Sequence, residues 1–320
     1  MTALDALLGG LIDYAGLFPP AALDMRAAVR SYAEHLGGRR SHALGSFVVP
    51  EARLQEFARE CAAYGETRGG AWPLSVVAGE PAADGIARAL AFQSGSMQAS
   101  GVAIVALEAR ASSAEEVMRL STLVPDTMRL AIEVPLSLGR SLRQSLIDAV
   151  RSAGRMAKVR TGGVTADAIP LPLALAEFIW DCARARVPFK ATAGLHHPVR
   201  SEQRLTYEPA SPTAAMHGFV NVFGAAALAW RAVEHPHGAE PPPDLLAILE
   251  ERDATAFEWD RDVLRWRQHV VTAGELAGVR GAFARGFGSC SFAEPIADLG
   301  ALGWLHPDSG AGGAATGISS

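Results

Sequence analysis

Eight short apolar runs recur along the chain at spacings of roughly 25–35 residues, and this period constrains the fold more than any other feature. They are 10–15 (Gly-Leu-Ile-Asp-Tyr-Ala), 45–49, 73–78, 102–107, 129–134, 156–160, 187–192 and 218–223 (Gly-Phe-Val-Asn-Val-Phe). Such spacing leaves room for a crossover helix between successive strands. Runs that stay apolar without alternating suit parallel strands buried on both faces. Eight βα units predict an α/β fold, a (β/α)8 TIM barrel, over 1–234.

The segments between the runs carry helix signals. Asp24 caps an apolar face through Met25, Val29, Tyr32 and Leu36, Ser113 and Glu116 form a capping box, and Pro172 opens a helix through Trp180. The stretch 198–217 is polar and broken by prolines where a regular seventh helix is expected, and such irregular connections are often functional. Residues 235–305 are expected to form a C-terminal helical appendage packed on the barrel. Two helices are predicted over 244–285, with Leu245, Leu249, Phe257, Leu264 and Trp266 as packing residues. The segment 286–295 reads as turn-rich, and the Gly/Ala/Ser-rich 306–320 reads as a flexible tail.

Composition excludes several classes. A net charge of −5 with no Lys/Arg-rich run argues against nucleic acid, and no uncharged apolar stretch reaches the ~18 residues of a membrane span. Three scattered cysteines and the lack of a basic leader region suit a reduced, cytoplasmic protein. The Leu/Trp-rich 244–305 stretch either buries itself on the barrel or forms a subunit contact, so a homo-oligomer stays open.

The basic residues are more telling. Of 29 Lys and Arg residues only Lys158 and Lys190 are lysine. Arginine is always protonated, whereas an ε-amine can lose its proton when desolvated and act as base or nucleophile. Both lysines fall in the sixth and seventh runs, at the strand ends that form a barrel's active face. Two ammonium groups so close would repel, driving one towards neutrality. The same face is expected to collect Asp13, Tyr14, Glu108, Glu133, Arg160, Thr192, His196, His197 and Asn221. Glu133, alone in an apolar run, is expected to pair with Lys158 or Arg160, whereas Glu108 is expected on a solvated loop with Arg110. Asp13 and Tyr14 read equally as pocket residues and as a strand end turning into Phe18-Pro19-Pro20. Cys290, in Gly-Ser-Cys-Ser-Phe, has too little context to be read as a nucleophile. Thr161-Gly162-Gly163 reads as a tight βα turn.

The order Lys-Val-Arg-Thr-Gly-Gly (158–163), a helix, Val-Pro-Phe-Lys-Ala-Thr-Ala-Gly-Leu (187–195) and Phe-Gly-Ala-Ala-Ala-Leu (223–228) resembles the class I deoxyribose-phosphate aldolases. Arg129-Leu-Ala-Ile-Glu-Val is similar to that family's fifth strand. The resemblance implies Lys158 as the imine former and Lys190 as its electrostatic partner. The family's strand-four aspartate matches Ala103 here, so Glu133, Asp13 or Tyr14 would have to replace it. Its phosphate turns correspond to Gly194-Leu-His-His-Pro and Gly224-Ala-Ala-Ala, without the serine hydroxyls. A small unphosphorylated aldehyde, ketone or keto acid is therefore expected, with Arg160, Arg200 or His196 for a carboxylate.

The resulting expectation is a Schiff-base lyase without cofactor or metal, in which Lys158, Lys190, Glu133 and His196 are catalytic. Arg160, Thr192, His197, Asp13, Tyr14, Asn221 and Arg200 are expected to bind substrate. The alternative is a barrel isomerase, dehydratase or hydrolase without an imine, metal-assisted through His196 or His197, with His217 and Glu133 completing the ligand set. A third reading is a non-enzymatic ligand-binding barrel, or an inactive relative that serves as a partner subunit.

Overall fold

The expected parallel barrel is present, with one strand exchanged. The computed structural model describes residues 1–62, 71–96, 102–234 and 238–305, so the expected tail at 306–320 lies outside the described residues. The chain opens with α1 (Ala3–Leu8), β1 (Ile12–Tyr14), α2 (Met25–Leu36), β2 (Leu44–Pro50), α3 (Leu54–Cys61) and β3 (Trp72–Val77). Alternation continues through α4 (Ala82–Ser96), β4 (Val102–Arg110), α5 (Ala114–Leu123), β5 (Arg129–Glu133), α6 (Arg140–Ser152), β6 (Met156–Arg160), α7 (Pro172–Ala185) and β7 (Phe189–Thr192). A long excursion follows. It comprises the hairpin β8 (Ser201–Arg204) and β9 (Thr213–Met216), then α8 (Phe219–Ala232) and α9 (Pro243–Glu250). A small antiparallel sheet comes next, β10 (Phe257–Trp259), β11 (Val263–Trp266) and β12 (His269–Thr272), and then α10 (Ala273–Ala282). Only then does β13 (Ala284–Ser289) complete the wall, ahead of α11 (Ala293–Ala301). The closed order is β1-β13-β7-β6-β5-β4-β3-β2, every neighbouring pair parallel.

The eighth strand is therefore 284–289 and not 218–223, and the barrel does not end at 234. The run at 218–223 is instead the start of α8, a helix buried almost all round. An apolar run of this length reads alike as a buried strand and a buried helix, because periodicity disappears when every face is covered. The true strand, Ala-Arg-Gly-Phe-Gly-Ser, holds no β-branched residue and two glycines, so its propensity is low. Pairing with β1 and β7 imposes its conformation. Gly286 has a packing reason, since a Cβ there would sit 2.8 Å from the Leu11 carbonyl oxygen. Phe287, fully buried, stacks on Phe219 of α8 with ring centroids 5.4 Å apart.

Other expectations change for local reasons. Two helices do occur over this stretch, α9 and α10, and α9 holds Leu245 and Leu249, but Phe257, Leu264 and Trp266 lie between them on β10 and β11 and are buried from there. The segment 286–295 is strand and helix start, not a set of turns. The irregular 198–217 stretch is the β8–β9 hairpin. Among the described residues no helix is long and apolar enough to cross a membrane.

Two measurements check the strand exchange. A chain cut after Glu234 lacks the eighth strand and should show no cooperative thermal transition by circular dichroism. Phe287→Ala in the full chain should cost about 3–5 kcal/mol in urea denaturation; a loss under about 1 kcal/mol would mean that this ring does not hold the barrel shut.

Candidate active site

Strand register lays the charges out in a row. Glu133 on β5 pairs with Lys158 on β6, and Lys158 pairs with Lys190 on β7. Parallel neighbours in register point to the same side, so all three side chains enter the barrel. Thr161, just past β6, donates its hydroxyl to the Ala193 carbonyl at 2.5 Å and fastens the two lysine strands together. Gly162 lies against Gly194, where a Cβ on either would come within 2.8 Å of the other's Cα. The predicted tight turn is thus a close backbone approach between the two loops that follow the lysines.

The residue between the lysines is Glu108, which is 2% exposed. Its Oε2 accepts from Lys158 Nζ at 2.9 Å and its Oε1 from Lys190 Nζ at 2.6 Å and Ser75 Oγ at 2.7 Å. Lys158 also meets Glu133 Oε2 at 3.2 Å, and Lys190 meets Asp13 Oδ2 at 2.7 Å. Asp13 Oδ1 accepts from the Ser46 amide at 2.7 Å, and Arg110 Nε lies 3.5 Å from Glu133 Oε1. Asp13 reaches past β13 where Gly288, in register with both Asp13 and Thr192, offers no side chain in the way.

This changes the electrostatics expected from the sequence. Two bare ammonium groups would repel, but here Glu108 stands between them, and each lysine has a second carboxylate of its own. Burial disfavours charge on Glu108, yet the ammonium groups of Lys190 and Lys158 outweigh it and hold the carboxyl far below its ordinary range. Burial likewise opposes charge on Lys190, and Asp13 and Glu108 overcome it, raising that amine above its ordinary value. Lys190 is a fixed cation. The solvated loop position expected for Glu108 is corrected: β4 runs on to Arg110, which carries Glu108 inside the barrel.

Above this row, at the C-terminal ends of the strands, opens a cavity of about 490 Å3. Lys158, Glu108 and Glu133 line it, together with Arg110, Arg160 and Thr192. Lys190 and Asp13 do not; they border a smaller hollow of about 250 Å3 towards the strand starts. The two lysines are therefore inequivalent, Lys158 facing the large cavity and Lys190 lying beneath it.

The other predicted residues divide. His196 and His197 line the cavity, but their Nδ1 atoms turn to different acids, Glu294 at 2.9 Å and Asp298 at 2.6 Å. Tyr14 is in register next to Asp13 and so points outwards, packing on Tyr32 and Phe47 under α2. Asn221 is a buried residue of α8 whose side chain donates to the Ile248 and Glu251 carbonyls and accepts from the Arg200 amide. Arg200 approaches His217 Nδ1 at 3.4 Å, and His217 is fully buried against the Pro170 carbonyl, its pKa pushed by burial down to about 4. Tyr14, Asn221, Arg200 and His217 are outside the cavity lining. Among the described residues no group of three or more His, Cys, Asp or Glu is arranged to hold a metal. Sequence reasoning placed Glu108 at the end of the fourth strand but on its solvated side, and it missed Tyr207 and Glu294 altogether. Glu108 directly follows the apolar run 102–107 on a strand that continues to Arg110, and that position was the available signal; the other two reach the cavity through tertiary placement alone.

Glu108→Gln should cost about 3–5 kcal/mol at pH 7, because it strips a shared counter-charge from two buried ammonium groups. The folded carboxyl lies below the ordinary value of 4.5, so its contribution is complete above that pH and is lost as pH falls through the folded value. The stability gap between wild type and variant should thus narrow below pH 4.5 by up to about 1.4 kcal/mol per unit. Urea denaturation at stepped pH measures it, and a gap constant from pH 7 to about 3 would contradict the assignment.

No protein-family model matches the chain, and none of the curated proteins compared matches it. Among solved structures, it is similar to the deoxyribose phosphate aldolase of Aeropyrum pernix, a protein described as having a unique tetrameric structure, at 16% identity and a TM-score of 0.43. That alignment covers 61% of this chain and 85% of the other.

Proposed function

We propose that the chain is a class I, Schiff-base-forming lyase of the aldolase kind, acting on a small, unphosphorylated aldehyde, ketone or keto acid. The observation that supports it best is the inequivalence of the lysines: Lys158 faces the cavity with a carboxylate on each side, and Lys190 is held charged beneath it.

In this reading Lys158 gives its proton to Glu133, 3.2 Å away at the cavity wall, and the free amine adds to the substrate carbonyl. Loss of water leaves a protonated imine. It draws the electron pair of the breaking C–C bond, and the reverse direction joins an enamine to a second carbonyl. Glu108 stays ionised between the lysines and stabilises the iminium charge as it develops. It takes the part the family assigns to its strand-four aspartate, reached five residues beyond Ala103. Glu133 or His196 moves the remaining protons. Arg160 and Arg110, both on the cavity wall, suit a carboxylate on the substrate. The partners are small carbonyl or carboxylate compounds, with neither nucleic acid nor membrane, in the cytoplasm. No cofactor enters the scheme, and a homo-oligomer is compatible with it.

The ion pairing favours one rival reading, an isomerase, dehydratase or hydrolase in which the charged lysines polarise an enolate or carboxylate and no imine forms. Borohydride separates the two. Added with a panel of small aldehydes, ketones and keto acids, it should leave a reduced adduct on the peptide containing Lys158, absent in Lys158→Arg. Glu133→Gln should keep the adduct while slowing turnover about 10²–10⁴-fold. No adduct from any compound, with activity intact in Lys158→Arg, would exclude the imine, and metal analysis of the purified protein would test the metal-assisted form of the rival.

A further inference from the structure

We propose that Cys290, His196 and Glu294 form a second reactive centre on the cavity wall, in which the Cys290 thiolate adds to the carbonyl carbon of a small aldehyde. Cys290 directly follows β13, His196 lies in the loop after β7, and Glu294 is in the first turn of α11; all three line the large cavity. His196 Nε2 faces Cys290 Sγ at 4.0 Å, and its Nδ1 is fixed by Glu294 Oε2 at 2.9 Å. That is a nucleophile, a base and an orienting carboxylate in sequence. Tyr207, from the β8–β9 turn, places its hydroxyl 3.5 Å from the sulfur and 3.2 Å from Glu294 Oε2. The Ala21 amide also bonds to the sulfur. Tyr207 has one hydroxyl proton to divide between the sulfur and Glu294, so the His196 and Ala21 N–H groups are the donors that face this buried thiol, an arrangement that favours S⁻ over S–H.

The titration directions agree with this geometry. Burial disfavours the thiolate, but the His196 contact outweighs it and holds Cys290 below its ordinary value. Burial also opposes charge on His196, yet Cys290 and Glu294 push its pKa up to about 9. The remaining cysteines differ. Burial pushes Cys61 up to about 11 and Cys182 well above its ordinary value, and neither lines the cavity.

The step balances without redox. The sulfur donates a lone pair to form the C–S bond, the carbonyl π pair moves onto oxygen, and the imidazolium Nε2–H protonates that oxygen to give a neutral thiohemiacetal. Reversal returns thiolate, imidazolium and aldehyde. Acyl transfer is less well served: next to the thiol the Ser291 amide is bonded to Ser289 Oγ and the Glu294 amide to Ser291 Oγ, so that pair is not available to an acyl oxyanion. Cys290 would therefore hold an aldehyde in the cavity, on chemistry that needs neither lysine.

The test is alkylation of the full-length protein by iodoacetamide at pH 7, read site by site by peptide mass spectrometry, with Cys61 and Cys182 as internal references. Cys290 should react about tenfold faster than glutathione. His196→Ala should remove that advantage. Groups facing the sulfur and its partners are His196, Tyr207, Tyr14 from β1, Glu294 and, beside Glu294 and His196, His197. Of these Glu294 acts through His196, so Glu294→Gln should move the midpoint of the rate–pH profile upwards. Propanal should slow labelling of Cys290 even in Lys158→Arg, where the cavity lysine can form no imine. A wild-type rate at or below that of glutathione, or one indifferent to His196→Ala, overturns the thiolate; labelling unaffected by propanal overturns the aldehyde. Failure of borohydride trapping at Lys158 changes none of these readouts.

Discussion

A single carboxylate lets two ammonium ions share the inside of this barrel. Taking charges out of water costs several kcal/mol each, and opposite charges repay that only when the geometry is close and further hydrogen bonds serve the remaining lone pairs. Glu108 comes close to this: one oxygen takes Lys158, and the other takes Lys190 and Ser75. Asp13 and Glu133 then supply one counter-charge to each flank. The arrangement is a poor route to stability compared with leucines in the same space, and its place at a cavity floor suits the chemistry proposed above. Water need not reorganise around a developing charge when fixed dipoles and ions already face it.

Much of this was legible in sequence, for definite reasons. Lysines so rare, on two consecutive parallel strands, had to lie side by side once the strands were in register. Asp13 and Glu133 stood out as acids in apolar runs. Glu108 did not, because the run 102–107 ended before it and Arg110 after it suggested a solvated turn. β4 is longer than its apolar core, and its polar end is the part that enters the site. The last strand was hidden by its glycines, and α8 was mistaken for a strand because burial on all sides removes the period that distinguishes the two. In both cases tertiary packing decided what local propensity left open. Tyr14 follows the simplest rule of all: if Asp13 points in, its neighbour points out.

The cavity has two chemically different walls. Amine and carboxylate chemistry occupies the floor, on β4 to β6, while thiol and imidazole chemistry comes from segments outside the regular βα alternation. His196 follows β7, Tyr207 belongs to the hairpin, and Cys290 and Glu294 flank the late-arriving end of the wall. A barrel concentrates strand ends at one mouth whatever their order in the chain, so groups as far apart in sequence as Glu108 and Glu294 line one cavity.

The distance along the chain between β1 and its partner β13 has a consequence for synthesis. Seven strands emerge from the ribosome well before the eighth, and through the whole intervening excursion β1 and β7 have unsatisfied edges. Asp13 and Lys190 sit on those two edges, 177 residues apart. A nascent chain therefore cannot close the Asp13–Lys190 ion pair across β13 until it is almost complete.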